Sequence, residues 1–289
     1  AETIYQAYVV DEQRNLLGVV SLRDLILADL NKSLQDLMIS DVVRALVTDD
    51  QEDIAKKIAR YDLLALPITD EEGVLVGIVT YDDAMDVVSE EVTEDIHKSA
   101  GVSTIIGNLK DASIGLLYRK RVFWLVLLVF GNLFSGAGIA HFEDIIAANI
   151  VLVFFLPLLV DSGGNAGSQS ATLMVRALAT GEVVMRDWLY LIGREALVAL
   201  ALGVTMAAAV SILGYIRGDE VIALVLALSM VSIVMIGCMI GMSLPFVLSK
   251  FNFDPASASA PLITSVCDAV GVVIYLFIAA HFLADVVIA

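Results

Sequence analysis

The sequence predicts a multidomain membrane protein, in which a soluble α/β part precedes an all-α part with five transmembrane helices. Hydrophobic residues make up 58% of the chain, and the mean hydropathy is +0.85, which is above the usage of soluble proteins. The long apolar runs all follow residue 121. Before them, residues 66–83 repeat residues 7–24, and such self-similarity at a fixed offset indicates duplicated modules.

The charge of the chain is negative throughout and amounts to −17 at neutral pH. Residues 1–121 hold 23 acidic and 12 basic residues, and residues 122–289 hold 11 and 5. This balance argues against nucleic acid and anionic membrane surfaces as partners and favours cations. A solvated acidic surface is the alternative explanation. The two cysteines, Cys238 and Cys267, lie in apolar runs, so no disulfide framework is expected.

The repeat aligns without gaps at an offset of 59, so that Asp11 matches Asp70 and Gly18 matches Gly77. Each copy predicts a strand, an acidic turn, a second strand and a helix capped by a hydroxyl residue. These features resemble a pair of CBS domains. We expect a complete second domain over 40–89 and a partial first domain over 1–39. The first copy lacks its opening strand and helix, so we expect an N-terminally truncated chain.

The segment that follows, residues 90–118, predicts a polar, helical connector, and the transmembrane domain is expected over 119–289. Each of the apolar runs supplies the roughly 20 residues that a spanning helix needs. The five candidate spans are 122–140, 145–170, 187–213, 221–248 and 260–284.

The charges that flank these spans predict the orientation of the chain. Basic residues border one set of ends, namely Arg119, Lys120, Arg121, Arg176, Arg186, Arg194 and Lys250. The opposite ends carry residues 141–144, residues 217–220 and Asp285, which are mostly acidic. The positive-inside rule therefore predicts a multi-pass cell-membrane protein with the CBS part in the cytoplasm and the C-terminus outside.

Residues 156–172 interrupt the second apolar run with glycines, amides and hydroxyls. Irregular backbone at membrane depth is tolerated only where it is buried in protein or lines a wet cavity, so this segment predicts part of an ion path. Asp161 either lines the path or caps a helix break before Gly163. For the small polar residues of this segment, the alternative role is close packing and hydrogen bonding between helices.

Asp268 lies within the last apolar run and has no basic residue nearby in sequence. A charged side chain at bilayer depth is costly and marks a functional site by default. The alternative is a carboxyl that is protonated or hydrogen-bonded to a neighbouring helix. Oxygen ligands suit Mg²⁺, which keeps several waters and binds through one or two carboxylates. A two-fold axis could bring two copies of Asp268 together.

The motifs of the chain resemble the MgtE family of magnesium channels and transporters. The similar segments are 93–98 (TEDIHK), 156–172 (LPLLVDSGGNAGSQSAT), 175–182 (VRALATGE), 244–246 (LPF), 254–255 (DP) and 268–271 (DAVG). The resemblance implies a homodimer in the lipid bilayer with five membrane helices per subunit. It also implies a central Mg²⁺ pore whose selectivity site is Asp268. The candidate pore-lining residues are Gly164, Asn165, Ser168, Gln169 and Thr264; Ser168 stands where the family often has Asn.

The same resemblance implies that cytosolic Mg²⁺ gates the pore by binding acidic residues of the CBS part and of the connecting, or plug, helix. The matching positions are Glu52, Asp62, Asp83, Asp86, Glu91, Asp95 and Asp254. The family has a further N-terminal helical domain that shares the sensing surface, and this sequence does not contain it.

The CBS repeats also resemble adenine-nucleotide sites. Ser21 with Asp24, and Thr80 with Asp83, have the hydroxyl-then-acid spacing typical of ribose contact, which suggests ATP or another adenine nucleotide. The alternative is helix capping by the hydroxyl, with the acid stabilised in the first helical turn.

Two other functions remain open at the level of sequence. Some membrane zinc proteases carry CBS domains, but they need a His-Glu-x-x-His pair, and His97, His141 and His281 lie far apart. An intramembrane aspartyl protease needs two acids, but Asp268 follows Ser-Val-Cys rather than Gly-x-Gly. We therefore expect no enzymatic activity. A carrier-type divalent cation exchanger is the other alternative, and sequence separates it poorly from a channel.

Overall fold

The computed structural model describes residues 5–29, 31–103 and 110–283, which form two compact units divided between Thr93 and Glu94. The first unit contains β1 (Gln6–Val10), β2 (Leu16–Ser21), α1 (Leu22–Leu27), α2 (Leu34–Leu37), β3 (Ala45–Leu46), α3 (Gln51–Arg60), β4 (Ala65–Thr69) and β5 (Leu75–Thr80). Helix α4 (Tyr81–Ser99) begins in the first unit and ends in the second.

The two hairpins of the first unit confirm the predicted repeat. Strands β1 and β2 pair antiparallel, as do β4 and β5, while β3 pairs parallel with β4. The bounds of the hairpins differ by 59 residues, and both registers shift at the same place, after Val9 and after Ile68. Arg14 and Gly73, again 59 apart, both adopt a positive φ, of 68° and 91°. The sequence repeat is therefore a repeat of backbone geometry.

The core of the first unit lies between α3 and the second hairpin. Ala55 and Ile58, three residues apart on one face of α3, pack with Leu66 and Ile68 of β4. Burying a side chain such as Ile58 stabilises the fold by roughly 1.5–3 kcal/mol. Asp50 begins α3 by accepting a hydrogen bond from the backbone N–H of Glu52 at 2.8 Å.

The second unit is helical and contains the predicted spans. Its helices after α4 are α5 (Ile114–His141), α6 (Glu143–Ala148), α7 (Val151–Ala179), α8 (Trp188–Arg217), α9 (Glu220–Lys250) and α10 (Ala260–Leu283). Short 3-10 turns, Met185–Asp187 and Pro255–Ser257, precede α8 and α10. Within the described residues, α5, α7, α8, α9 and α10 are long and apolar enough to cross a membrane, which confirms the five predicted spans.

Helix α9 is the centre of the membrane part. It packs against α7, α8 and α10, whereas α5 packs against α10 and has no buried residue of its own. Leu159, Val234 and Tyr275 are among the fully buried residues of the main core. The Tyr275 hydroxyl donates a hydrogen bond to the carbonyl of Leu152 at 3.0 Å and so ties α10 to α7.

The predicted break in the second span is wrong, because α7 runs without interruption from Val151 to Ala179. An α-helix satisfies its own backbone groups, which matters most where no water is available. Two hydroxyls of this segment are satisfied inside the helix. Those of Ser162 and Thr172 donate to carbonyls one turn earlier, at 2.7 and 2.8 Å. Asp161 therefore caps no helix break.

The predicted connector, residues 90–118, is not one continuous helix within the described residues: its first part belongs to α4 and its last five residues to α5. Helix α4 ends at Ser99, and the described residues 100–103 and 110–113 are non-helical; residues 104–109 lie outside the description. Gly101 ends the helix with a φ of 69°. Its N–H donates to the carbonyl of Lys98 and the N–H of Val102 donates to that of His97, both at 2.9 Å. This pair of bonds is a Schellman motif, which favours glycine.

Candidate functional site

The polar residues of α7 form a stripe along one face of the helix. Asp161, Asn165, Gln169 and Thr172 are all exposed in the single chain and are spaced by three or four residues. The side-chain amide of Asn165 donates to a carboxylate oxygen of Asp161 at 2.8 Å. We call these four residues the polar stripe. These polar groups lie on a helix of transmembrane length, and because lipid offers them no hydrogen bonds, they must face water or another protein surface.

The glycines of α7 occupy the other faces and contact neighbouring helices. Gly163 and Gly167 are buried against α9, where a Cβ added to Gly167 would lie 2.7 Å from the carbonyl oxygen of Gly237. Gly164 is buried against α10, where its added Cβ would lie 3.0 Å from Cγ2 of Thr264. The structure thus places Gly164 in a helix contact and not on the polar stripe.

Asp268 lies on α10, which packs beside α7. Within the described part of the chain, Oδ1 of Asp268 is buried and has no hydrogen-bond partner. One turn earlier, the Thr264 hydroxyl is 3.4 Å from that of Ser168 on α7. Val160 of α7 approaches Gly271 of α10. The structure therefore brings Thr264 and Ser168 together at the contact between α10 and α7, with Asp268 one turn further along α10.

Sequence reasoning missed Glu195, a second carboxyl of the membrane part. It lies on α8 and accepts a hydrogen bond of 2.5 Å from the hydroxyl of Ser170, a buried residue of α7. Ser170 is nine residues after Asp161 and therefore on the opposite side of α7. Glu195 follows Arg194 near the start of a span, so it resembled a flanking charge. Its position two turns inside α8 was the feature that could have revealed it.

Two of the acidic residues proposed as cytosolic sensors in the first unit have partners on helices of that unit. Glu52 pairs with Lys56 at 2.8 Å, and Glu91 accepts a hydrogen bond from the side chain of Gln51 at 2.9 Å. Asp62 is exposed and adopts a φ of 50° just after α3, and Asp86 is exposed on α4. The described residues contain no group of three or more His, Cys, Asp or Glu side chains arranged to hold a metal ion.

Asp254 has a basic partner. The Lys98 ammonium lies 2.5 Å from Oδ2 of Asp254 and also pairs with Glu94, one turn earlier on α4. The other carboxylate oxygen of Asp254 accepts the N–H of Ala256 at 2.8 Å. Burial alone would lower the pKa of Lys98, but the hydrogen bonds to Asp254 and Glu94 outweigh it and raise the pKa above its ordinary value. Lys98 thus neutralises part of the charge of two acids. Asp95, next to Glu94, is half-buried.

The two hydroxyl–acid pairs of the CBS repeats are internally bonded. The Ser21 hydroxyl donates to Asp24 at 2.6 Å and accepts the N–H of Asp24 at 3.0 Å, so it caps α1. The Thr80 hydroxyl donates to Asp83 at 2.8 Å. This geometry matches the capping role, and both acids remain exposed.

Comparisons with known proteins agree with this architecture. Residues 156–278 match the family described as MgtE, divalent cation transporter, and residues 2–31 and 34–90 match the CBS domain. The magnesium transporter MgtE of Thermus thermophilus is 42% identical over 96% of this chain, and that of Bacillus subtilis is 39% identical over 98%. The chain spans 62% of the length of each of these relatives.

Solved structures are similar over the soluble part. A structure of the soluble part of a magnesium transporter is 50% identical over 32% of this chain and 36% of its own, with a TM-score of 0.31. A structure of the cytosolic domain of the Mg²⁺ channel MgtE in complex with ATP is 54% identical over 30% of this chain and 35% of its own, with a TM-score of 0.30.

The fold and the site together define a multi-pass membrane protein with an N-terminal CBS module and a polar stripe inside its helical part. The matches to the membrane part and to relatives over nearly the whole chain identify its kind. The chain belongs to the MgtE family.

Proposed function

We propose that this chain conducts Mg²⁺ across the cell membrane along the polar stripe of α7 and binds the ion at Asp268. One observation carries the proposal: within the described residues, Asp268 has a buried carboxylate oxygen without a partner in a spanning helix, and the neighbouring helix α7 carries four exposed polar side chains between residues 161 and 172. The relatives with the same membrane part are named magnesium transporters. Mg²⁺ prefers oxygen ligands and retains water, which suits one carboxylate and neutral side chains such as Asn165 and Gln169.

The pore is proposed to form between two subunits. In a single chain the polar stripe is exposed, and lipid offers its groups no hydrogen bonds. A two-fold axis facing this surface would enclose the stripe and supply a second Asp268. In the proposed orientation the CBS module lies in the cytoplasm and the C-terminus outside, which the basic flanks support through the positive-inside rule.

Gating by cytosolic Mg²⁺ is part of the proposal. The sensor residues are Glu52, Asp62, Asp83, Asp86, Glu91, Asp95 and Asp254. Asp83, Asp86 and Glu90 follow one another at spacings of three and four along α4 and therefore share a face. Like charges about 4 Å apart repel by roughly 4 kcal/mol at an effective dielectric near 20. Mg²⁺ would relieve this repulsion and favour the closed pore.

Adenine-nucleotide binding at the CBS module is a further proposal, made at Ser21 with Asp24 and at Thr80 with Asp83. Both acids are exposed at the start of a helix and already oriented by a hydroxyl. The measurement is calorimetric titration with ATP of the wild type and of Asp24→Asn and Asp83→Asn, variants that keep the hydrogen-bonding shape. Equal affinities would leave capping as the role of these residues.

The rival functions have less support. The relatives are named transporters, which is a non-enzymatic class, and this favours transport over intramembrane proteolysis. A carrier-type exchanger would move Mg²⁺ without single-channel current steps, so planar-bilayer recording of the purified chain distinguishes it from a channel.

The test of the pore site is Mg²⁺ flux into liposomes. Asp268→Asn keeps the shape and removes the charge. Losing a charge-assisted interaction of about 1.5–3 kcal/mol should reduce flux about tenfold or more. Glu195→Gln is the matched control, because it also neutralises a membrane carboxyl but on the opposite side of α7. Wild-type flux in a folded Asp268→Asn protein, or an equal loss in both variants, would overturn the assignment.

A further inference from the structure

A cavity of about 310 Å³ lies where the end of α4, the first turns of α5 and the loop between α9 and α10 meet. It is lined by Lys98, Gly101, Val102, Ser103, Trp124 and Ser257. None of these lining residues belongs to α7, so the cavity is separate from the polar stripe. All of them lie in the second unit.

The polar groups that line this cavity are hydrogen-bond donors. The Lys98 ammonium has three N–H donors, and Asp254 and Glu94 engage two of them. Within the described residues, Nε1 of Trp124 is buried and has no acceptor, and a buried donor without an acceptor is unfavourable. Ser103 and Ser257 add hydroxyl groups. A ligand rich in oxygen acceptors, such as a phosphate group, fits such a lining.

The cavity also lies at a membrane surface. Helix α5 has 28 residues and is therefore about 42 Å long, whereas the hydrocarbon core is about 30 Å thick. The basic residues 119–121 precede Trp124 in the first part of this helix, and tryptophan is enriched at the membrane–water interface. Lys120 shares a helix face with Trp124, and its carbonyl accepts the N–H of Ser103 at 3.2 Å.

The local charge favours an anionic ligand even though the whole chain is acidic. Lys98 lines the cavity and is shared with the carboxylates of Glu94 and Asp254, while the basic residues 119–121 stand in sequence just before the lining residue Trp124, against the single acid Asp111 between Ser103 and Trp124. Basic clusters next to a transmembrane helix attract anionic lipid headgroups.

We propose that this cavity binds the phosphate of an anionic phospholipid headgroup, with Lys98 and Trp124 as the donors. The site would place a lipid beside the ion pair that joins α4 to the loop between α9 and α10. This inference does not depend on Mg²⁺ conduction, because its test measures binding and not flux.

The experiment uses the purified chain in detergent and the emission of Trp124. The chain has two tryptophans, and Trp188 at the start of α8 is exposed, so Trp188→Phe leaves Trp124 as the only indole. Short-chain phosphatidylglycerol should change this emission saturably. Short-chain phosphatidylcholine carries a choline cation that the basic residues 119–121 disfavour, and inorganic phosphate lacks acyl chains, so each should bind about tenfold more weakly or not at all.

Two variants test the lining. In the Trp188→Phe background, Ser257→Ala should lower the affinity for phosphatidylglycerol about fivefold, as expected for the loss of one neutral hydrogen bond. Ser249→Ala on α9 is the control and should leave this affinity unchanged. In the wild-type background, Trp124→Phe keeps a ring but removes the donor. With its own lipid-free unfolding midpoint as the reference, this variant should lose most of the thermal stabilisation by phosphatidylglycerol, whereas Trp188→Phe should keep that stabilisation.

Three results would overturn the proposal. One is an emission of Trp124 that does not respond saturably to phosphatidylglycerol. Another is that Ser257→Ala leaves the affinity for phosphatidylglycerol unchanged and Trp124→Phe leaves the thermal stabilisation by this lipid unchanged. The third is inorganic phosphate binding as tightly as phosphatidylglycerol, which would assign the cavity to free phosphate and not to lipid.

Discussion

At the scale of single residues, the ion pair between Lys98 and Asp254 is the clearest electrostatic contact of the membrane part outside the spans. Lys98 is held between Asp254 and Glu94, and all three side chains are partly exposed. Asp254 is also one of the proposed Mg²⁺ sensors. The ammonium of Lys98 therefore occupies a position between two carboxylates, and a divalent cation would also be favoured at that position.

We predict that Lys98→Met lowers the unfolding midpoint by an amount equivalent to about 1 kcal/mol or less, since partly exposed ion pairs are screened by water. Added Mg²⁺ should stabilise this variant more than the wild type, because two carboxylates then face each other without a cation. Thermal unfolding of the purified chain measures both effects, and Lys250→Met is the control. A Mg²⁺ response identical to that of the wild type would contradict the prediction.

The pH dependence of this contact follows from the raised pKa of Lys98. A raised pKa in the folded state contributes stability below the ordinary value of 10.5, and this contribution is lost as pH rises through the folded value. The difference in stability between wild type and Lys98→Met should therefore be constant between about pH 7 and pH 9 and decrease only above the ordinary lysine pKa. Unfolding midpoints of the wild type and of Lys98→Met, measured from pH 7 to above the ordinary lysine pKa, check whether their difference decreases as pH rises.

At the scale of elements, the close packing of α7 on α9 depends on four glycines. Gly163 and Gly167 of α7 face Gly237 and Gly241 of α9, and a Cβ added to Gly241 would overlap the carbonyl oxygen of Gly167. Small residues at such contacts let helix backbones approach closely in membranes. The added methyl group would meet the backbone of α7 and not a flexible side chain, so no rotation of a side chain could make room for it.

We predict that Gly241→Ala destabilises the membrane part by about 1–3 kcal/mol or more, because the two helices must separate to admit the methyl group. Gly193→Ala on α8 is the matched control, since nothing lies within 4 Å of its added Cβ. It should be neutral or stabilising by up to ~1 kcal/mol, because alanine favours helix. Size-exclusion analysis after heating in detergent compares the two, and equal stability would contradict the role of the glycines.

The glycines of α7 also explain why its sequence predicted an irregular backbone where the structure has a helix. Residues 156–172 predicted irregular backbone, because glycines and polar residues are uncommon in a spanning helix. The polar side chains of that segment bond within α7, reach α8 or α10, or form the polar stripe, and the glycines form contacts with α9 and α10. Periodicity separates the two roles, since the polar stripe recurs every three or four residues.

At the scale of the whole molecule, the proposed function requires the acidic module to respond to Mg²⁺. We predict that Mg²⁺ protects α4 from proteolysis more than NaCl of equal ionic strength does, because divalent ions bridge carboxylates whereas monovalent salt only screens them. Combined replacement of Asp83, Asp86, Glu91 and Asp95 by Asn or Gln should abolish this difference and leave the channel open at high Mg²⁺.

The control for this prediction removes acids that are not proposed as sensors. Glu12, Asp29, Glu71 and Glu72 are exposed in the first unit, and replacing them by Gln or Asn changes the net charge equally. The control protein should keep the Mg²⁺-specific protection. Equal protection of the wild type in both salts would favour a solvated acidic surface and defeat the sensor proposal.

Local sequence patterns were sufficient to predict the main elements of both units. The offset of 59 predicted two hairpins whose strands, register shifts and turns recur at that offset, because alternating patterns and turn residues are local properties. The five apolar runs predicted five spanning helices, because length and hydropathy are also local. Asp268 was selected for the same reason, as an acid inside an apolar run.

The contacts between distant residues are visible only in the folded chain. There α7 is continuous, Gly164 packs against Thr264 of α10, and Asp254 pairs with Lys98, which is 156 residues earlier in the chain. The fold also joins Glu195 to Ser170 and forms the cavity beside Trp124. Contacts between distant segments depend on how whole helices pack, and no local pattern in one segment records the surface of its neighbour.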